Sequence, residues 1–423
     1  MASRILRRRV ATAVGVYGSA ALGFLATIVA AVELSKDDFA RYALAFGTTA
    51  LLQLFVDLTV DEVVIKYGNR YAAREDWPRF HRLFRIAMVV KLAGGAAGTL
   101  TVVGAAFLSP YIWQTGGVRG AMLIASLVPV IQQPEGMAGA VLTLRGRYDV
   151  RGAFLMWAMA LRLAAIWIGA HHGLLPVFIA IVVAQAVSTT SISAVAWALY
   201  RRYPHAEPAP LGDDRRAIRA FAIQSTIASG LTSLRTSLPT VLVGIVAKGP
   251  QVANFRAAQA PQTAFQSLSA PARLVLLAEQ TRDVEHGRAD RAYGLLRRYI
   301  GVAIVFVCVA VPPLWIFMPS LLRLIHLAKY TDAANAFRVM LLVAALQLVF
   351  GWTKTYPVSI GRVGMRTLGQ LLEVSVLIPG VLVLGAIYGA TGAAGGMLAG
   401  SVVLAVFWTA ALARLPRAEA LAA

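Results

Sequence analysis

Long apolar runs alternate with short polar connections from one end of the chain to the other. Runs such as 11–32, 83–108, 174–199 and 301–322 each hold roughly 20 residues, the length a helix needs to cross a hydrocarbon core of about 30 Å. Together the runs predict about twelve spans, at 11–32, 43–65, 83–108, 118–142, 153–170, 174–199, 220–246, 252–278, 299–322, 335–356, 367–388 and 392–413. No polar stretch is long enough for a sizeable soluble domain. The expected fold class is therefore an all-α integral membrane protein.

Polar residues inside these runs recur at helical spacing, and they are the informative positions. In the eighth span Gln259, Gln262, Thr263, Gln266 and Arg273 share one face, with Arg256 on its flank. In the seventh, Ser225, Ser229, Thr232, Thr236 and Thr240 form a stripe flanked by Gln224 and Arg235. An isolated Arg at mid-membrane costs about 2.5–3.5 kcal/mol even on insertion scales. These faces are thus expected to meet water, substrate or partner helices. Ser and Thr alone commonly join helices, so Arg235 gives the seventh-span stripe its functional reading; the other reading is an ion pair with an acid elsewhere.

The second span carries Thr49, Gln53, Asp57 and Asp61 at every fourth position, with Glu62 adjacent. Asp57 lies deepest and is a candidate ion-coupling acid, whereas Asp61 and Glu62 are expected to be solvated at the span's end. In the fourth span Gln132-Gln133-Pro134-Glu135 combines a helix break with polar groups, an arrangement that exposes backbone to a cavity. Arg162 and Glu373 stand alone in their spans, and helix pairing and ligand contact are both open for them.

Composition agrees with burial in lipid: 58% of residues are hydrophobic and 14% charged, against roughly 45–50% and about 25% in soluble chains. A net charge of +20 would suggest nucleic acid in a soluble protein. Here most Lys and Arg residues sit in short connections, and 66–85, 145–151, 201–219, 282–298 and 354–366 are all basic on one side. That asymmetry orients the chain with both termini in the cytoplasm, and no nucleic-acid partner is expected. The apolar run after Arg4 to Arg9 is about twice a secretory h-region, which marks a retained first helix. Cys308, the sole cysteine, is expected to be a packed, inert thiol.

The longest polar connection, 201–219, holds Pro204, Pro208 and Pro210 and reads as a cytoplasmic linker between an N-terminal six-helix bundle (1–200) and a C-terminal one (220–423). A shift of about 213 residues lays Phe39-Ala-Arg-Tyr42-Ala over Val252-Ala-Asn-Phe255-Arg, as parallel repeats in a transporter do. Phosphate-loop, HExxH and clustered Cys/His patterns are missing from the sequence. Hence no cofactor, metal or ATP hydrolysis is expected, and transport would run on an ion gradient, membrane potential or downhill release. His171, His172, Arg323 and His326, in short outside connections, form no catalytic constellation, so an enzyme is not expected. Gly396 and Gly400 mark close helix packing.

The chain resembles the polysaccharide-biosynthesis flippases of the multidrug/oligosaccharidyl-lipid/polysaccharide exporter (MOP) superfamily. The residues that carry the resemblance are Phe39-Ala-Arg-Tyr42-Ala-Leu, Asp57-Leu58, Asn254-Phe255-Arg-Ala-Ala258 and Tyr330-Thr-Asp-Ala-Ala334. Ala40 stands where such proteins often have Gly, and Arg235 near where they often have Asp. The resemblance implies two pseudo-symmetric six-helix bundles around a central cavity, flipping a polyprenyl-diphosphate-linked oligosaccharide outward by alternating access. Arg235, Arg256 and Arg273 with Gln259, Gln262 and Gln266 would then bind the head group, since Arg grips a diphosphate bidentately. Asp57 and Glu135 would couple the ion, H+ or Na+.

The implied setting is a bacterial plasma membrane, with membrane lipids and other polysaccharide-assembly membrane proteins as partners. The rival readings are an ion-coupled drug or metabolite exporter of the same superfamily and a membrane-embedded polysaccharide polymerase or ligase. A lipid II flippase fits the charge logic, but that family commonly carries extra helices.

Overall fold

The computed structural model describes residues 2–56, 59–360 and 363–414, and no strand occurs among them. In chain order the helices are α1 (Ala2–Glu33), α2 (Lys36–Val56), α3 (Val60–Ala73), α4 (Trp77–Ile112), α5 (Val118–Ala125), α6 (Leu127–Leu144), α7 (Tyr148–Ala170), α8 (Leu174–Tyr200), α9 (Asp214–Val246), α10 (Gly249–Ala258), α11 (Ala260–Glu285), α12 (Ala289–Ile316), α13 (Met318–Leu324), α14 (Ala334–Gly351), α15 (Thr355–Ser359) and α16 (Val363–Arg414).

Seven segments among the described residues are long and apolar enough to cross a membrane: Ala11–Glu33, Trp77–Ile112, Tyr148–Ala170, Leu174–Tyr200, Asp290–Ile316, Ala328–Pro357 and Gly364–Arg414. The last is broken by Gly389, whose φ of 59° only glycine adopts freely, so it supplies the eleventh and twelfth expected spans. The other expected spans fall on α2 with α3, α5 with α6, α9, and α10 with α11. These are the interrupted or polar-striped helices, which is why uniform apolarity misses them.

Local chemistry sets the breaks. Pro250 and Pro261 open α10 and α11 at positions where a missing N–H costs nothing, and α10 stops at Gln259 as the next helix starts. At the end of α6, Gly146 is left-handed (φ 64°). Its N–H donates to the Thr143 carbonyl while that of Arg147 donates to Leu142, the paired bonds of a Schellman stop. Pro134 inside α6 cannot donate to the preceding turn and leaves a carbonyl without its helical partner.

The chain divides into two compact units. Unit 1 comprises Met1–Leu34 and Leu44–Leu238, and unit 2 comprises Ser35–Ala43 and Pro239–Ala423. In unit 1, α1 lies along α7, and α4, α6 and α8 pack side by side. One end of this unit is an aromatic cluster of Trp77, Phe80, Phe84, Tyr200 and Tyr203, with the Arg145 guanidinium 3.5 Å over the Tyr203 ring. The linker folds back onto it. His81 Nε2 bonds the Pro204 carbonyl (2.9 Å), His81 Nδ1 bonds the Tyr200 hydroxyl (2.6 Å), and the Ala209 N–H donates to Pro78 O. A carbonyl only accepts, so Nε2 donates in this contact. Tyr71 donates to Asp214 at 2.9 Å, and burial followed by that carboxylate pushes its pKa up to about 12.

In unit 2, α14 packs against α11 and α16. A Cβ on Gly396 would collide with the Gly380 backbone, and one on Gly400 would meet the Glu373 carbonyl, so the close approach expected of that motif is present within α16. The first turns of α2 belong to this unit. Lys36 Nζ pairs with Asp332 at 2.8 Å, Asn254 donates to the same carboxylate, and Phe39 packs edge-on against Tyr330. Cys308, expected to be packed, is exposed on α12. The run around it is apolar on every side, so its periodicity does not distinguish a lipid-facing position from a packed one.

Candidate functional site

Two polar cavities adjoin inside unit 1. The larger, of about 430 Å³, lies among α2, α6, α7, α8 and α9 and is lined by Thr49, Gln53, Gln132, Glu135, Arg162 and Gln185, among others. Glu135 follows Pro134, so the break in α6 and the carboxylate coincide. Its Oε2 accepts from Gln185 Nε2 at 2.8 Å, and the same amide reaches Thr189 Oγ1 at 3.1 Å. Arg162 lies across this cavity's wall with its guanidinium 4.1 Å over the Phe46 ring, a cation–π seat. Arg162, isolated in the sequence, thus shares a cavity with Glu135.

The smaller cavity, of about 260 Å³, shares Gln53, Thr59, Gln132 and Glu135 with the first and adds Asp61, Lys91 and Arg151. Lys91 is only 6% exposed and its Nζ stands 3.1 Å from Asp61 Oδ1. Arg151 donates to Thr143 Oγ1 at 2.9 Å. Glu62 accepts from Ser225, and the Thr59 N–H donates to Thr226 Oγ1 at 3.1 Å. Of the two acids expected to be solvated, Glu62 is exposed while also bonded to α9, whereas Asp61 is half-buried and tied to Lys91 on α4. The cause is that α3 starts at Val60, a new helix whose direction the every-fourth spacing of α2 does not carry. Asp57 and the side chains of Ser229 and Thr232 lie outside the described residues.

Unit 2 holds the stripe of the eighth span. Gln259 and Gln262 are 3% and 5% exposed. Gln259 Oε1 accepts from Arg256 Nη1 (2.8 Å) and Thr240 Oγ1 (3.2 Å). Gln262 and Gln266 both donate to Gln347 Oε1 on α14, at 2.9 and 2.8 Å, and Gln347 donates onward to Ser401 on α16 at 3.2 Å. The glutamines thus form a ladder that ties three helices together. Arg273 reaches the same helix: its Nη1 lies 3.7 Å from where a Cβ on Gly351 would stand. Arg235, Arg256 and Arg273 are each half-buried. Arg235 belongs to unit 1, Arg256 and Arg273 to unit 2.

Sequence reasoning missed Gln347, Gln185, Lys91 and Arg151 as members of these clusters. Gln347 and Gln185 each interrupt an apolar run, the same signal that marked Gln262, and Gln185 also has Ser188 and Thr189 at helical spacing on its own face.

A family model described as polysaccharide biosynthesis protein matches residues 5–277. The chain belongs to the polysaccharide biosynthesis protein family. Among solved structures, it is similar to an inward-facing multidrug resistance MATE transporter of the MOP superfamily, at 14% identity, a TM-score of 0.79 and 95% of each chain covered. It is also similar to the lipid II flippase MurJ in an inward closed conformation, at 11% identity and a TM-score of 0.72, covering 97% of this chain and 89% of that one. A third is a MOP superfamily transporter from Pyrococcus furiosus whose binding pocket is described as reversed in polarity, at 15% identity, a TM-score of 0.66 and coverage of 96% and 95%. No curated protein matches by sequence. At these identities the likeness establishes the fold alone: the chain has the all-α fold that these MOP-superfamily proteins share.

The part matched by the polysaccharide biosynthesis family covers every residue lining the two unit 1 cavities. It ends inside α11, just beyond Arg273, and leaves out Gln347 and Ser401, the far rungs of the glutamine ladder.

Proposed function

We propose that this protein is a membrane transporter that moves a polyprenyl-diphosphate-linked oligosaccharide from the cytoplasmic to the outer leaflet by alternating access. The observation that carries this reading is that the polysaccharide biosynthesis match, 5–277, contains all eight candidate residues, from Asp57 to Arg273. In it, Arg235, Arg256 and Arg273 hold the diphosphate, because guanidinium forks match phosphate oxygens where an ammonium offers only a point charge. Gln259, Gln262 and Gln266 exchange their mutual hydrogen bonds for sugar hydroxyls when cargo enters. Glu135, with Asp57, couples the step to H+ or Na+. The chain is read as lying in a bacterial plasma membrane with both termini cytoplasmic, because the basic connections fall on one side. Lipids and polysaccharide-assembly membrane proteins are its partners.

The carboxylates at Glu135 and Asp61 in the unit 1 cavities favour a second reading, export of an organic cation on an ion gradient. One experiment separates the two. Vesicles containing the purified protein and a fluorescent polyprenyl-diphosphate saccharide are assayed for transfer of the saccharide to the opposite leaflet. Transfer supports the first reading; no transfer, together with gradient-driven uptake of an organic cation, overturns it.

A further inference from the structure

On its other face, the α6–α8 wall of the polar cavity carries an apolar groove. Gln132 and Glu135 of α6 line the cavity, while Val130, Ile131, Pro134, Met137 and Val141 of the same helix line a groove of about 670 Å³ completed by α4 and α8. Hydroxyls interrupt this lining at Thr189, Thr190, Ser193 and, at one end, Tyr200. The groove is open sideways, since Thr190, Ala194 and Trp197 on its rim are exposed, so it faces the bilayer.

Three observations identify its occupant. First, its lining on α8 runs from Ala186 to Tyr200, about 21 Å at 1.5 Å per residue, against about 15 Å for one leaflet of the hydrocarbon core. The groove therefore suits one acyl chain of a single leaflet and is far shorter than an extended polyprenyl chain. Second, one end is closed by the stacked pair Phe84 and Tyr200, with ring centroids 4.5 Å apart, and flanked by Trp197. Tyr and Trp collect at the headgroup level of a membrane, which fixes this end at the interface. Third, the residues that follow this pair in sequence are cations: Arg85 follows Phe84, and Arg201 follows Tyr200 with its guanidinium 5.5 Å over the Trp197 ring. Both are exposed.

We propose that this groove is a binding site for an anionic phospholipid, which lays an acyl chain along α4, α6 and α8 and its phosphate against Arg85 and Arg201. The lipid braces the wall that holds Glu135 from behind. The site rests on the chain spanning a membrane and not on the identity of its cargo, so it is tested without any transport assay.

The full-length protein is purified from vesicles containing equal amounts of phosphatidylglycerol and phosphatidylcholine, and the lipids it retains are read by native mass spectrometry. The wild type retains phosphatidylglycerol preferentially. Joint Arg85→Gln and Arg201→Gln substitution lowers that preference by about thirtyfold, the effect expected of two basic residues at an anionic headgroup. Ala194→Phe, at the open rim, lowers retention of both lipids. Because that variant could fail to fold, the part of the tryptophan quenching by chain-brominated phosphatidylglycerol that disappears in Trp197→Phe provides an independent reading. Equal retention of both lipids by the wild type and the double variant overturns the proposal. So does quenching that is the same for brominated phosphatidylcholine, or displacement of phosphatidylglycerol by an equal amount of an isoprenoid phosphate.

Discussion

Gln347 is the hub of the glutamine ladder, and replacing it separates structure from transport at that stripe. Its Oε1 accepts from both Gln262 and Gln266, and its amide donates to Ser401. Gln347→Leu keeps nearly the same volume and removes three hydrogen bonds. Interhelical hydrogen bonds between membrane helices average about 0.6 kcal/mol each, so the loss is about 2 kcal/mol, before any penalty for the amides left behind. Gln262→Leu removes one bond and should cost about 0.6 kcal/mol. Reversible unfolding of the purified protein in mixed micelles of increasing denaturing-detergent fraction, followed by circular dichroism, measures both. The ordering is the test: if Gln347→Leu is no more costly than Gln262→Leu, the ladder does not tie α11, α14 and α16 together, and the stripe's burial has another cause.

Asp61→Asn removes the charge 3.1 Å from buried Lys91 and should destabilise by about 2 kcal/mol, less than the ~3–5 kcal/mol of a fully buried pair because Asp61 is 27% exposed. Adding Lys91→Met should recover most of that loss; strictly additive costs in the same unfolding measurement would show the two are uncoupled. Glu135→Gln keeps a partner for Gln185 but cannot take up a proton or attract Na+, so cargo transfer should stop responding to either gradient; an unchanged response removes Glu135 from ion coupling. Arg235→Ala and Arg256→Ala should each strongly reduce saccharide transfer in vesicles with insertion intact, with Lys restoring it only in part; normal transfer by both Ala variants sinks the proposed head-group role.

The membrane spans were legible because hydropathy is a property of the chain read one residue at a time. The same holds for the stripe from Gln259 to Arg273, whose members share a face through helical geometry alone. What that stripe touches was not legible: Gln347 and Ser401 come from α14 and α16, brought in by packing that leaves no local trace. Asp61 shows the opposite failure. Its place in the every-fourth series suggested a solvated helix end, but the interruption before α3 re-aimed it at Lys91. Arg162 and Glu135 were each visible as costly residues in lipid, and only the fold shows that they face one cavity.

The boundary between the two units runs through helices rather than through the proline-rich linker. It cuts α2 between Ala43 and Leu44, and α9 between Leu238 and Pro239, while the linker ends before Asp214. A chain severed in the linker would give an amino-terminal piece carrying Ser35–Ala43, which belongs to unit 2, and a carboxy-terminal piece carrying Asp214–Leu238, which belongs to unit 1. Each piece would own a part of the other and lack a part of itself. Two such fragments made together have a reciprocal reason to find one another, as exchanged segments do in a swapped dimer, whereas either made alone is missing packing that no lipid replaces.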